Sequence, residues 1–183
     1  MGFIVGFFLT YMEEESAFFM FDSLIKNYGF GELLLSGFPK LKSILFVYLN
    51  LLKKFMPTVY EFFKNQKFPH SYYAAYFFIY MFSNKLKFNV LARVFDVFLL
   101  EGYKIVYRVA LALIKINKEK FLKKGVEDEY LYHLFKNKFD EIDPELLLET
   151  AFNLRFSKED IKKYEDEYEK VKDNPKNEFI KQL

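Results

Sequence analysis

Apolar residues recur at three- and four-residue intervals through nearly the whole chain, and no run alternates convincingly at period two. The pattern predicts helices throughout. A first apolar helix covers Gly2–Met12, and a second runs from about Glu14 to Asn27. Glu14 and Glu15 sit favourably at the positive end of that second helix, and Gly29 follows its close. Pro39 opens a long helix whose apolar stripe is Leu41, Ile44, Leu45, Tyr48, Leu49, Leu52 and Phe55, and Pro57 forces a break. A short helix then reaches about Gln66. Pro69 lies in a loop, and Ser71 is placed to cap Tyr72–Phe82.

Leu91–Lys115 reads as a helical hairpin. Val94, Phe95, Phe98 and Leu99 form one stripe, and Ile105, Val109, Leu113 and Ile116 form the next. Between them stands Gly102, which can take the left-handed conformation that ends a helix cheaply. Weaker helices follow at Asn117–Lys123 and Asp128–Phe139. Asp143-Pro144 starts Glu145–Leu154, and the capping-box sequence Ser157–Asp160 opens a strongly charged last helix. Beyond Asn174-Pro175 the composition predicts a frayed tail. The fold class is all-α, with about eight to ten helices, no sheet and no fixed-period repeat.

Composition sharpens this picture in three places. Hydrophobic residues make up 52%, ample for a core, while the net charge of +2 is too small to imply nucleic acid. With no cysteine there is no disulfide, no thiolate nucleophile and no Cys-ligated zinc. Only three of the 27 basic residues are arginine (Arg93, Arg108 and Arg155), and there is no tryptophan. A bias toward Lys, Phe and Tyr of this kind follows from AT-rich coding and carries no functional message. The apolar segments Met1–Met12 and Tyr72–Phe82 are each about half the roughly 20 residues a membrane-spanning helix needs. They read as buried core helices, with no transmembrane segment; apolar segments lying in lipid are the weaker alternative. His70 and His133 lack companions at metal-ligand spacing and read as a loop and a helix-surface residue. Gly2 and Gly6 read as residues that let helices pack closely.

The hairpin LARVFDVFLLEGYKIVYRVALALIK also resembles the "R-V-W-D-x-(F/L)-L-x-E-G" and "(F/Y)-R-V-A-L-A" signature of TBC domains, the GTPase-activating modules for Rab-family small GTPases. Arg93, Asp96, Gly102, Arg108 and Ala110 match, and Phe95 replaces the usual Trp. Met1, Gly2, Phe3, Ile4, Val5, Gly6, Ala17 and Phe18 are similar to the family's "Q-G-M-x-F-I" and "E-x-A-F" segments. Ser71–Phe82 resembles its "Y-x-x-x-W-F" helix, with Tyr76 at the Trp position and Phe77 at the Phe. Leu146–Tyr168 is similar to the helices that close such domains. The resemblance implies residues 1–125 as the C-terminal part of the TBC core, 126–173 as closing helices and 174–183 as the frayed tail.

It also implies a partner, a Rab-family small GTPase in its GTP form, with vesicle trafficking as the setting and no cofactor. The location implied is cytoplasmic, peripheral at endomembranes through that partner. The family's catalytic fingers, an arginine in "I-x-x-D-x-x-R" and a glutamine in "Y-x-Q", occur nowhere in this chain. With Met1 and Gly2 at the place of Q-G-M, both are expected upstream of Met1. The isolated chain is therefore expected to be non-catalytic, and a finger-less GTPase-binding or scaffold protein is the alternative. Phe95 is expected to be an aromatic anchor. Asp96 is expected to pair with Arg93 or Arg108, or to cap a neighbouring element. On that reading Asp96→Ala lowers solubility and melting temperature.

Overall fold

A computed structural model describes residues 2–123, 128–136, 139 and 142–182. Met1, the expected domain boundary at 125/126 and part of the predicted Asp128–Phe139 helix lie outside the described residues. Eleven α-helices and two short 3-10 turns account for the described chain, and no strand occurs in it. The helices are α1 (Gly2–Leu9), α2 (Glu14–Lys26), α3 (Pro39–Phe55), α4 (Pro57–Asn65), α5 (His70–Ile79), α6 (Phe88–Glu101), α7 (Tyr103–Ile116), α8 (Lys118–Phe121), α9 (Asp128–Lys136), α10 (Pro144–Phe152) and α11 (Lys158–Val171). The 3-10 turns are Phe30–Leu34 and Ile180–Gln182.

The core is built around α7. Every residue from Ile105 to Ile114 is buried, so this helix is enclosed on all sides rather than on one stripe. It packs against α10, α6 and α5, while α11 lies along α3 and α4 folds back beside it. In place of tryptophan the interior uses stacked smaller rings. Tyr73 lies flat on Phe135, with centroids 4.1 Å apart, and Phe121 also stacks on Phe135, at 5.2 Å.

Helix ends follow local chemistry. Pro39, Pro57 and Pro144 each stand at a first helical position, where the missing N–H costs nothing. Asp143 accepts from the Leu146 N–H, and Ser157 and Asp160 form a reciprocal capping box. Three ends differ from expectation, and Ser71 lies inside its helix instead of capping it. The α1 segment stops at Leu9, because the Thr10 hydroxyl bonds back to the Phe7 carbonyl and the chain turns before α2. The next, α5, starts at His70 and stops at Ile79, because Met81 and Phe82 adopt positive φ. Gly102 joins α6 to α7 at φ 68, ψ −150, a region essentially closed to residues with a Cβ. This is not the left-handed helical cap the sequence suggests, yet it needs glycine all the more. By contrast, a Cβ at Gly2 or Gly6 would meet nothing within 4 Å, so close packing does not explain those glycines.

The segment beyond Asn174 does more than the frayed tail expected of it. Phe179 packs against Phe46 and Tyr60, and the Glu178 carboxylate accepts from the Tyr60 hydroxyl at 3.0 Å and meets Lys64 at 2.8 Å. Those contacts, led by the Lys64 ammonium, hold the Glu178 carboxyl below its ordinary pKa.

Candidate functional site

The signature residues lie on α6 and α7, and the helical period sorts them. On α6 the side chains of Val90, Leu91, Val94, Phe95 and Phe98 face the core, which sends Arg93, Asp96, Leu99 and Leu100 outward. Phe95 is 4% exposed, stacked on Phe7 at 4.8 Å and edge-on to Phe8 at 5.5 Å. It ties α6 to α1, the role an aromatic anchor requires.

Asp96 pairs with neither arginine. It is exposed and has no hydrogen-bond or ionic partner among the described residues. Three positions apart, the two residues are neighbours on the helix surface, yet Arg93 is engaged by Glu145 of α10 at 3.5 Å while Asp96 borders a groove. Both members of the Arg93–Glu145 pair are more than half exposed, so the pair contributes little to stability.

Arg108 is the bracing arginine, held by other partners. Its guanidinium meets Glu101 at 3.0 Å, donates to the Phe156 carbonyl at 3.5 Å and lies 5.5 Å from the Phe156 ring centroid. Glu101 closes α6, and Phe156 sits in the turn between α10 and α11, so one side chain joins three elements. Phe77 is 1% exposed and buried in the core. Its neighbour Tyr76, at the family's Trp position, is 44% exposed and stacks on Tyr80 instead. Phe77 and Phe78 hold the buried positions of this stretch, at 1% and 0% exposed. Arg155 is exposed, and Gly2 stands exposed at the first position of α1.

Two charged or titratable residues escape a reading of the sequence. His70, expected in a loop, is buried at the start of α5, with Nδ1 2.8 Å from the Tyr73 hydroxyl and its ring stacked on Tyr60. Burial pushes its pKa down to about 3, so it is neutral. Tyr73 in turn lies 3.3 Å from the Tyr48 hydroxyl, and burial raises the pKa of both phenols. The second is Lys85, whose ammonium donates to the carbonyls of Phe135 (2.6 Å) and Lys136 (2.9 Å). It thereby caps the carboxyl end of α9 with a positive charge. Its burial there lowers the lysine pKa. No apolar period or capping motif marks either residue: the ring stacked on His70 comes from α4, and the carbonyls that hold Lys85 come from α9.

The groove beside Asp96 holds about 260 Å³ and runs between the end of α1, α2 and α6. Phe7, Phe8, Tyr11 and Met12 line it from one side, Met20 from α2, and Ala92, Phe95, Asp96 and Leu99 from α6. Among the described residues no cluster of three or more His, Cys, Asp or Glu side chains suits a metal ion. No described helix is long and apolar enough to cross a membrane.

Residues 1–122 match the Rab-GTPase-TBC domain family, and the chain belongs to that family. It is similar to the human Ecotropic viral integration site 5 protein homolog, with 29% identity over 98% of this chain and 22% of that protein. Rab GTPase-activating protein eat-17 of Caenorhabditis elegans is 28% identical over 91% of this chain and 19% of its own length. GTPase activating protein Gyp51 of Schizosaccharomyces pombe is 27% identical over 92% and 17% respectively. The chain thus spans about a fifth of the length of these relatives.

Proposed function

We propose that this chain is the GTPase-engaging helical scaffold of a Rab GTPase-activating protein, recognising a Rab-family small GTPase in its GTP form. The family match over residues 1–122 carries the reading. In this reading the scaffold works in vesicle trafficking, on the cytoplasmic side of endomembranes, and is brought there by its GTPase.

The chain by itself lacks the chemistry of activation. A small GTPase is slow because nothing neutralises the charge developing on the phosphoryl oxygens, and an arginine supplied in trans raises the rate by about 10³–10⁵. Such an arginine must be free to enter the partner's nucleotide site. Arg108 is buried under Phe156 and held by Glu101, while Arg93 and Arg155 stand outside any I-x-x-D-x-x-R sequence. Neither Gln66 nor Gln182 occurs in Y-x-Q. Arg93, Phe95, Asp96, Gly102, Arg108 and Phe77 therefore serve the scaffold and its surface. Met1 and Gly2 mark the place next to the family's glutamine finger.

Single-turnover GTP hydrolysis by a panel of purified Rab proteins, with and without this chain, tests the assignment, together with capture of GTP-analogue- and GDP-loaded forms. The expected result is nucleotide-dependent capture of at least one Rab without acceleration. Acceleration abolished by Arg93→Ala would overturn the non-catalytic assignment; no capture of any Rab would overturn the scaffold assignment.

A further inference from the structure

We infer that the groove between α1, α2 and α6 is a docking site for a basic amphipathic helix supplied in trans. Its floor is apolar and deformable: Phe7, Met12 and Met20 line it together with Ala92 and Leu99. Methionine side chains repack around differently shaped anchors, which suits a groove that receives the apolar stripe of a helix. Other large apolar side chains of the same helices are exposed as well: Phe18 and Phe19 on α2 at 66% and 60%, and Leu100 on α6 at 86%. An exposed concentration of large apolar side chains marks an interaction surface.

The charge around the groove selects the partner. Asp96 is the one charged side chain among the described lining residues, and it has no partner there. Directly after Met12 come Glu13, Glu14 and Glu15, all exposed, and residues 2–26 oppose these and Asp22 with Lys26 alone. The chain as a whole is positive, at +2, so the α1–α2 segment is acidic against the general trend. A helix carrying Leu or Phe at i, i+3 and i+7 with flanking Lys or Arg would fill the groove and place a cation on Asp96. An acidic or uncharged helix would leave that carboxylate unpaired beside apolar surface.

The test uses the full chain and a fluorescently labelled synthetic helix on the order of 18 residues long, with Leu on one face and Lys on the other. A twin peptide carries Glu in place of each Lys. Anisotropy titration is expected to show the Lys peptide binding at least about tenfold tighter than its twin. Asp96→Asn is expected to weaken that binding by about three- to tenfold, and Leu99→Glu to abolish it. Glu167→Gln, a charge removed from the distant α11, is expected to change nothing. Thermal melts establish that each variant folds, and if Leu99→Glu does not, Asp96→Asn against Glu167→Gln decides alone. Equal affinity for the two peptides, or equal effects of Asp96→Asn and Glu167→Gln, would overturn the proposal. So would a concentration-dependent dimer dissociated by Leu99→Glu, since a second copy would then be the occupant.

Discussion

Glu101, not Asp96, holds Arg108, and that exchange of partners alters what single substitutions should do. A carboxylate paired in the interior is costly to remove, whereas an exposed one without a partner is not. Asp96→Ala should therefore leave the melting transition nearly unchanged, within about 0.5 kcal/mol, contrary to the loss of stability expected from a buried pair. Urea titration of the variant against the parent chain checks this. His70 gives a second expectation. Folded, its pKa is about 3, while exposed in the unfolded chain it returns to the ordinary histidine value of 6.5. Between those values the unfolded chain binds a proton that the folded chain refuses, so stability falls as the pH drops below 6.5 and is unaffected above it. By pH 5 the loss attributable to His70 is about 2 kcal/mol. Unfolding free energies of the parent and of His70→Gln, each at pH 7 and pH 5, should differ in their pH dependence by that amount.

At the scale of elements, α9 depends on a residue far from it in sequence. Lys85 places its ammonium on the last carbonyls of α9, and the Phe139 N–H donates in return to the Lys85 carbonyl at 2.9 Å. Lys85→Met keeps the apolar stem and removes the donor, leaving two carbonyls at a helix end without it. A cost of about 1–3 kcal/mol follows, read as a lower melting temperature together with loss of helical circular dichroism from the α9 region. What was legible beforehand follows the same division. Helix positions, proline starts, the Asp143 and Ser157 caps and the Gly102 break are local, set by residues within a turn of one another, and the sequence carries them directly. The Arg93–Glu145 and Lys40–Glu165 pairs, the Lys85 cap and the seating of Phe179 join residues 50 or more positions apart. No periodicity encodes such meetings. The Asp96 expectation failed for this reason: spacing along α6 fixes the side from which a residue leaves the helix, but not which charge waits there.

For the whole molecule, the division between a braced interior and an apolar groove bordered by Asp96 is the feature that matters. Arg108, Phe95 and Phe77 serve the interior, and this is why the family signature could be recognised from sequence without revealing a reactive centre. The groove was not legible, because its walls come from three helices and only Phe95, Asp96 and Leu99 of its lining belong to the signature. The enclosure of α7 has a further consequence, in the currency of isotope exchange. An amide exchanges with heavy water when its hydrogen bond opens to solvent, and a helix with no solvent-facing side has no partial opening that frees its middle. The amides of Val109 to Ile114 should exchange only when the entire chain unfolds. Their rates would then report the global unfolding free energy, whereas those of α9, released by the loss of one lysine contact, should exchange sooner through local opening. Mass-resolved exchange of the peptides covering α7 and α9 would separate the two, and equal protection would mean that the molecule opens as a single unit.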